Sequence, residues 1–312
     1  MSHSKKEIPS WLLAYRHYLK TEKRVVRKAE RESRVRTAGF YLLSLLSILA
    51  LSLWGVKILT RSAAAKSDHQ ELTIEFPAVA GDMALIRTPG KKTVLVNSGL
   101  QALEILRQQG LKKVDYLFIT FPHKTNIQGA TMLLKNDFPV LKIYESEHSY
   151  SAPHYDDFRA AVDESFRSLK RKMLKGESIE IEPGLIVQSL GPLRKYDEEV
   201  NNSFVLRFVY RDTAFLFCGD IERTSEKDLI NYGRGLRSQV MKISNQGDTI
   251  SSPAFIDLVH PEVAVLTGEV GEVNDSVVGS LKDLGIQVYR TDLNGRILIR
   301  SDGASIAVEK ER

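Results

Sequence analysis

Nineteen consecutive residues without a charge, Ala38 to Val56, limit what this chain can be more than any other stretch of its 312 residues. The run AGFYLLSLLSILALSLWGV is bracketed by Arg34 and Arg36 on one side and Lys57 and Arg61 on the other. A bilayer core about 30 Å thick needs roughly 20 apolar residues in a helix. Apolar residues cover every side of the segment, and its polar members are only Tyr41, Ser44, Ser47 and Ser52. That pattern is the one of a lipid-facing helix and not of a soluble amphipathic one. The competing reading, a buried core helix, lacks a nearby partner to bury it.

Residues 1 to 37 hold eleven Lys or Arg against four Glu, a charge of +7, whereas the whole chain carries +5. Residues 38 to 312 therefore carry −2, and the basic balance belongs to the tail. Bulk charge thus says little about a nucleic-acid partner. Positive flanks stay in the cytoplasm, so the segment is expected to be an uncleaved signal anchor. In a bacterium this places the N-terminus inside the cytoplasmic (inner) membrane and the C-terminal domain outside the cytoplasm. A cleaved signal peptide is the alternative, with Ala63, Ala64 and Ala65 as small residues past the run, but its basic region would be far longer than usual. Trp11, Leu12, Tyr15, Tyr18 and Leu19 recur at helical spacing beside Arg16, Lys20 and Lys23. This is either an interfacial helix on anionic lipid or a solvated basic helix. The single cysteine, Cys218, excludes an intramolecular disulfide framework. The expected organisation is a basic tail (1–37), an anchor (38–60), a linker (61–70) and one α/β domain (71–312).

Within 71–312, β-branched and aromatic runs bounded by Gly, Pro, Asn and Asp mark strands. They fall at Leu72–Phe76, Met83–Thr88, Thr93–Asn97, Val114–Thr120, Leu141–Tyr144, Leu185–Ser189, Phe204–Tyr210, Thr213–Cys218, Gln239–Ser244, Val263–Thr267, Gln287–Arg290, Arg296–Arg300 and Ser305–Glu309. Helical patterns cover Gln101–Gln109, Ile127–Lys135, Asp156–Met173, Ser225–Tyr232, Pro253–Val259 and Asn274–Leu284, with Asp156 and Asn274 as caps. Turns are expected at Pro89–Gly90 and, between two strands, at Asn294–Gly295. This content predicts two mixed sheets packed together and covered by helices.

Three apolar strands end in polar loops: VDYLFIT enters FPHKTNIQG, TAFLFC enters GDIE, and VMKIS enters NQGD. Convergent loops of this kind are where α/β folds place sites. The order of segments resembles the metallo-β-lactamase fold, specifically the extracytoplasmic hydrolase-like domain of competence proteins of the ComEC/Rec2 type. The resemblance spans about residues 71 to 309. It is carried by LTIEFPAVAGDMALIRTPGKKTVLVNSG, LKKVDYLFITFPHKTNIQGA, NNSFVLRFVYRDTAFLFCGDIE, LRSQVMKISNQGDTISSPAFIDLVHPEVAVLTG and LGIQVYRTDLNGRILIRSDG, in that order. It implies an αββα sandwich with its site along the shared edge of both sheets.

Active members of that family hold one or two metals, usually zinc, through a His-x-His-x-Asp-His loop, a later His, an Asp and a final His. Here the first loop reads Phe121, His123, Thr125 and Asn126 at those positions, so only His123 is a good ligand. Asp220 matches the metal-bridging aspartate. The final loop, usually His-His-Gly-Ser, reads Asn245, Gln246, Gly247 and Asp248. The Asp-Gly-Gly turn is Asn97, Ser98 and Gly99, while Asp82 of the early Gly-Asp turn is retained. Zinc takes three or four N, S or carboxylate ligands at about 2.0–2.3 Å, and Phe, Thr and Asn do not replace imidazole. Phe121 is expected to fill the ligand's space, and Lys124 adds a positive charge beside it. Without the metal no bound water is acidified, so zinc is not expected as a cofactor and hydrolysis by the family mechanism is expected to be lost.

His123 is then read as a hydrogen-bonded loop residue and Asp220 as a cap for its own turn. An oxygen-rich Mg or Ca site from Asp82, Asp220, Asn245 and Asp248 is the alternative. His148, His154 and His260 follow no ligand spacing and are read as surface residues. No Gly-x-Ser-x-Gly elbow, phosphate loop or His-Glu-x-x-His motif occurs. Arg159 to Lys175 reads as a helix whose end carries Arg167, Lys170, Arg171, Lys172 and Lys175. Cations there suit the helix dipole; contact with a phosphate backbone is the alternative. The leading expectation is a membrane-anchored binding or scaffolding module at the cell envelope, in a competence setting, with the bilayer and another envelope protein as partners. A metal-dependent phosphodiesterase or nuclease with a rebuilt site and a nucleic-acid-binding module are the alternatives.

Overall fold

Strands that are apolar on both faces need cover on both sides, and that requirement builds the architecture. The computed structural model describes residues 71–148, 150, 152–165, 168–244, 251–268 and 273–312. Among them the strands form two sheets. One has the order β15 (Ile306–Lys310), β14 (Ile297–Ser301), β1 (Leu72–Phe76), β2 (Ala84–Arg87), β3 (Thr93–Val96), β4 (Tyr116–Ile119), β5 (Lys142–Ser146), β6 (Leu169–Met173). The other runs β13 (Gln287–Arg290), β12 (Val263–Leu266), β11 (Val240–Lys242), β10 (Thr213–Phe217), β9 (Val205–Tyr210), β8 (Leu185–Gly191), β7 (Ser178–Glu182). Each sheet is antiparallel in one half and parallel in the other. β3 to β6 and β10 to β13 are the parallel halves.

Alternation assigns each side chain to a layer. In β4, Tyr116 and Phe118 enter the core between the sheets, whereas Leu117 and Ile119 enter the layer beneath the helices. In β10, Phe215 and Phe217 point to the same central core, and Leu216 points outward. Aromatic rings join the sheets there: Phe76 meets Phe217 at 6.1 Å and Phe118 meets Phe208 edge-on at 5.7 Å. Helices α1 (Ala102–Gln108), α2 (Lys124–Lys135) and α3 (Pro153–Glu164) cover the outer face of the first sheet. Helices α4 (Arg223–Leu229), α5 (Pro253–Val259) and α6 (Asp275–Asp283) cover the second. The result is the four-layer αββα sandwich expected from the resemblance.

Several expectations need correction. The helix expected from Asp156 to Met173 is instead α3, ending at Glu164, followed by β6, which pairs parallel with β5 from Lys142↔Leu169 to Ser146↔Met173. The apolar stripe stops after Val162, and the alternating segment Leu169–Met173 supplies partners to the otherwise open edge of β5. Asp156 is not the cap: Pro153 opens α3, its fixed φ suited to the first helical turn, and Asp156 lies in that turn. Asn274 does cap, its side chain accepting from the Ser276 N–H at 2.9 Å. Strand β7 is a further element that the alternation of SIEIE conceals among charges. Asn294–Gly295 is no hairpin turn, because β13 and β14 lie in different sheets and the short helix α7 (Thr291–Asn294) separates them. Among the described residues no helix is long and apolar enough to cross a membrane; the expected anchor at 38–56 lies outside them.

Helix α2 approaches the loop after β3 as closely as backbone allows. A Cβ added at Gly129 would stand 1.9 Å from the Gly99 carbonyl oxygen, and the Gly129 N–H donates to Ser98 O at 2.9 Å. Gly129→Ala is therefore expected to destabilise the domain by about 1–3 kcal/mol, read as a lower urea midpoint with an unchanged m-value.

Candidate functional site

The parallel strands of both sheets deliver their carboxyl ends to one place. Asn97 follows β3, Thr120 follows β4, Asp220 lies three residues beyond β10, Lys242 ends β11, and Thr267 follows β12. Asp82 lies in the turn between β1 and β2. Asn97 has φ 57, a left-handed conformation that Asn tolerates better than most residues. Its side chain reaches two ways: Nδ2 donates to Asp82 Oδ2 at 2.9 Å and to Thr120 Oγ1 at 2.8 Å, and Oδ1 accepts from the Thr120 N–H at 2.8 Å. Thr267 Oγ1 donates to Asp82 Oδ1 at 2.9 Å. Lys242 Nζ stands 2.9 Å from Asp82 Oδ2, with both side chains buried.

Asp82 thus gathers Asn97 from one sheet and Thr267 and Lys242 from the other. A second link joins the sheets nearby. Asn126, in the first turn of α2, uses its Nδ2 to donate to Phe121 O at 3.1 Å and to Asp220 Oδ2 at 3.4 Å. The Asp220 N–H donates to Ser203 Oγ at 3.1 Å. Among the described residues no backbone N–H reaches the Asp220 carboxylate, so it does not cap its turn as expected. Its pKa is pushed up to about 6, first by burial and then by the charge of Asp82, against the pull of the Lys242 ammonium and the Asn126 hydrogen bond. Burial also raises the pKa of the Cys218 thiol, with Glu226 adding to it; a thiol held neutral in this way is a poor nucleophile.

The fold family's metal can be tested against these donors. Phe121 is buried and meets the Tyr150 ring edge-on at 5.2 Å. His123 is exposed, its Nδ1 2.8 Å from Thr125 Oγ1. Partial burial and the neighbouring His154 lower its pKa. Both oxygens of Asp82 are engaged by protein groups, one of them cationic. Among the described residues no three His, Cys, Asp or Glu side chains are grouped to hold a metal. Asn245, Gln246, Gly247 and Asp248 lie outside the described residues, and with them half of the oxygen-rich alternative. The donors among the described residues do not fit zinc: they supply one exposed imidazole, an amide directing its N–H toward Asp220, and an ammonium paired with Asp82.

His154 donates its Nε2–H to Pro122 O at 2.9 Å, His260 is exposed in the turn ending α5, and the main-chain oxygen of His148 accepts from Lys172 Nζ at 2.7 Å. The basic group proposed for nucleic acid is divided by strand alternation. Lys170 turns toward the helix layer, pairing with buried Glu145 at 2.9 Å and lying 5.6 Å from the Tyr155 ring centre. Arg171 is exposed, and Arg167 lies outside the described residues. Sequence reasoning passed over Lys242, Thr120 and Thr267. The signal available was a charge inside the apolar strand VMKIS.

Because Asp220 holds its proton more tightly when folded than when unfolded, stability falls as pH rises from about 4 to about 6 and stays lower above. Asp220→Asn is expected to be more stable than the wild type by about 2 kcal/mol above pH about 7, the gain vanishing below pH about 4. Urea unfolding across that range measures it.

No family model matches the chain. Competence protein ComA of Neisseria gonorrhoeae is 34% identical over 110 residues, 33% of this chain and 16% of that protein. ComE operon protein 3 of Bacillus subtilis is 24% identical over 204 residues, 64% of this chain and 26% of that protein. The match therefore takes up a minor part of each curated relative. Among solved structures, CmlA, a diiron β-hydroxylase from Streptomyces venezuelae, superposes with a TM-score of 0.54 at 13% identity, covering 74% of this chain and 54% of that one. The metallo-β-lactamase fold protein YhfI from Bacillus subtilis gives a TM-score of 0.51 at 11% identity, covering 70% and 96%. The chain has the metallo-β-lactamase fold and is related to competence proteins of the ComEC type.

Proposed function

We propose that the chain is a membrane-anchored module that keeps the metallo-β-lactamase fold without its metal hydrolysis and serves as a binding or scaffolding surface at the cell envelope. The observation that carries this reading is the loop after β4. Its one imidazole, His123, is exposed and hydrogen-bonded to Thr125, while Phe121 and Asn126 are buried in hydrophobic and amide contacts. A zinc-activated water needs at least three protein ligands converging on one point, and this loop offers none toward Asp220 except an amide donor. In this reading no zinc cofactor is held.

The anchor is the apolar run 38–56, with the basic tail in the bacterial cytoplasm and the domain outside. The relation to competence proteins supports a setting in DNA uptake, where a partner membrane protein carries out transport. Arg171 and the neighbouring basic residues of β6 are the surface that nucleic acid would meet, with Lys170 already committed to Glu145.

Purified full chain, supplied with zinc or manganese, is expected to cleave neither DNA nor a simple phosphodiester above background, and Asp220→Asn is expected to leave that result unchanged. Metal-dependent cleavage abolished by Asp220→Asn would establish the hydrolase alternative. Protease added outside intact spheroplasts is expected to digest the domain; digestion only from the cytoplasmic side reverses the orientation.

A further inference from the structure

The end of the first sheet opposite Asp82 carries a row of lysines. β1 pairs antiparallel with β2, and β2 with β3, so β1 runs in the same direction as β3 and its parallel neighbours β4 and β5. Their amino ends therefore share one end of the sheet, and the chain enters the domain there, at Glu71. Lys91 and Lys92 precede β3, Lys112 and Lys113 precede β4, and Lys142 opens β5. Lys91, Lys112 and Lys113 are exposed. Lys92 and Lys142 crowd a single ring, their Nζ atoms 5.8 and 4.8 Å from the centre of Tyr116. Lys113 pairs with Asp115 at 2.5 Å; among the described residues the other four make no ion pair. The acids at this end are engaged elsewhere: Glu182 accepts from Thr88 Oγ1 and the Gly90 N–H, Glu71 pairs with Arg300, and Asp137 and Glu164 line a cleft shared with Lys135. Leu169, which opens β6 in the same direction, is 48% exposed. At the amino ends of the second sheet acids are interspersed, Asp212 before β10 and Glu262 before β12, so the row is confined to the first.

Ammonium groups held side by side repel one another, and an array of them without carboxylates is suited to a plane of phosphates. The chain before Glu71 indicates which plane. The uncharged run ends at Val56, and the fourteen residues from 57 to 70 reach at most about 50 Å, so a bilayer holding that run is within reach of the end at which the chain enters. We propose that this lysine row, with Leu169 at its margin, is the face that the domain lays on an anionic lipid surface, which turns the end carrying Asp82 away from the bilayer. The inference rests on the membrane-anchored reading and deepens it by naming the docking face and its ligand, phosphate headgroups. A nucleic acid would use the same charges, but it calls neither for an exposed leucine beside them, which the membrane interface accommodates, nor for a row placed where the chain enters.

The test uses the full chain reconstituted in vesicles of phosphatidylcholine, alone or mixed with phosphatidylglycerol, each doped with a lipid whose headgroup nitroxide quenches fluorescence. A fluorophore is placed on Gln108→Cys, at the lysine end, or on Asp197→Cys, at the opposite end, both positions being exposed; Cys218 is buried. In the mixed vesicles the first label is expected to be quenched and the second not. The quenching is expected to disappear in phosphatidylcholine alone and in high salt. Each lysine removed is expected to lower the ratio of docked to undocked domain about fivefold. Lys91→Gln combined with Lys112→Gln, both at exposed side chains, therefore lowers it about 25-fold, and adding Lys92→Gln and Lys142→Gln abolishes docking. The exposed pair keeps the test decisive if the fourfold variant does not fold. Equal quenching of the two labels, or quenching of the first that ignores phosphatidylglycerol and the lysines, overturns the proposal. Binding of a DNA duplex that is lost in the lysine variants, while the first label stays unquenched, assigns the row to nucleic acid and overturns the proposal too. A chain stripped from the vesicles by alkaline carbonate overturns the anchored reading and this inference with it, whereas one that stays and shows no preferred face overturns this inference alone.

Discussion

One carboxylate ties the two sheets together at the end where their parallel strands open. Asp82 accepts from Asn97 beside one sheet and from Thr267 beside the other, and it neutralises Lys242 on the second sheet as well. Everything else at that end is arranged to permit this. Asn97 takes up a left-handed backbone so that its amide can face both Asp82 and Thr120. Gly81, just before Asp82, has φ +92, and a Cβ there would lie 2.2 Å from the Thr125 carbonyl oxygen. In a medium of low dielectric a polar network of this kind is stable only when its members are mutually satisfied. The turn between β1 and β2 therefore has little freedom to vary.

The sandwich explains why so many polar ends meet there. Each sheet passes from an antiparallel half to a parallel half, and the parallel strands run the same way through a central layer filled by Phe76, Phe118, Phe208 and Phe217. Their carboxyl ends must then emerge together. Helix α2 closes one side by main-chain contact between Gly129 and the Ser98–Gly99 turn. The same scaffold that places metal ligands in other members of this fold here places an ion pair and its hydrogen bonds.

Much of this was legible in the chain, because period-two alternation with apolar residues on both faces is a local signal. The strands around VDYLFIT and TAFLFC, and the cap at Asn274, follow from neighbours in sequence. Two features did not. Strand β6 reads as the basic end of a helix because LKRKM has no apolar stripe; its conformation is dictated by the open edge of β5 and by Glu145, which Lys170 neutralises. Lys242 gives a similar lesson. A lysine is assigned to the surface by default, and only the arrival of Asp82 from far upstream makes its burial possible.

The strand order also has a temporal side. β1 finds β2 almost at once, but its other neighbour is β14, and Glu71 and Arg300, which close that pair, are 229 positions apart. The bond from Thr267 to Asp82 spans 185. Contacts between such distant positions form late, since a long loop must close before they contribute. A chain emerging amino end first therefore carries Asp82 without its cation until Lys242 has been made, and β1 with one exposed edge until β14 (Ile297–Ser301), near the end of the domain, has been made. The partners that complete the surroundings of Asp82, Lys242 and Thr267, are thus supplied by chain made long after Asp82 itself.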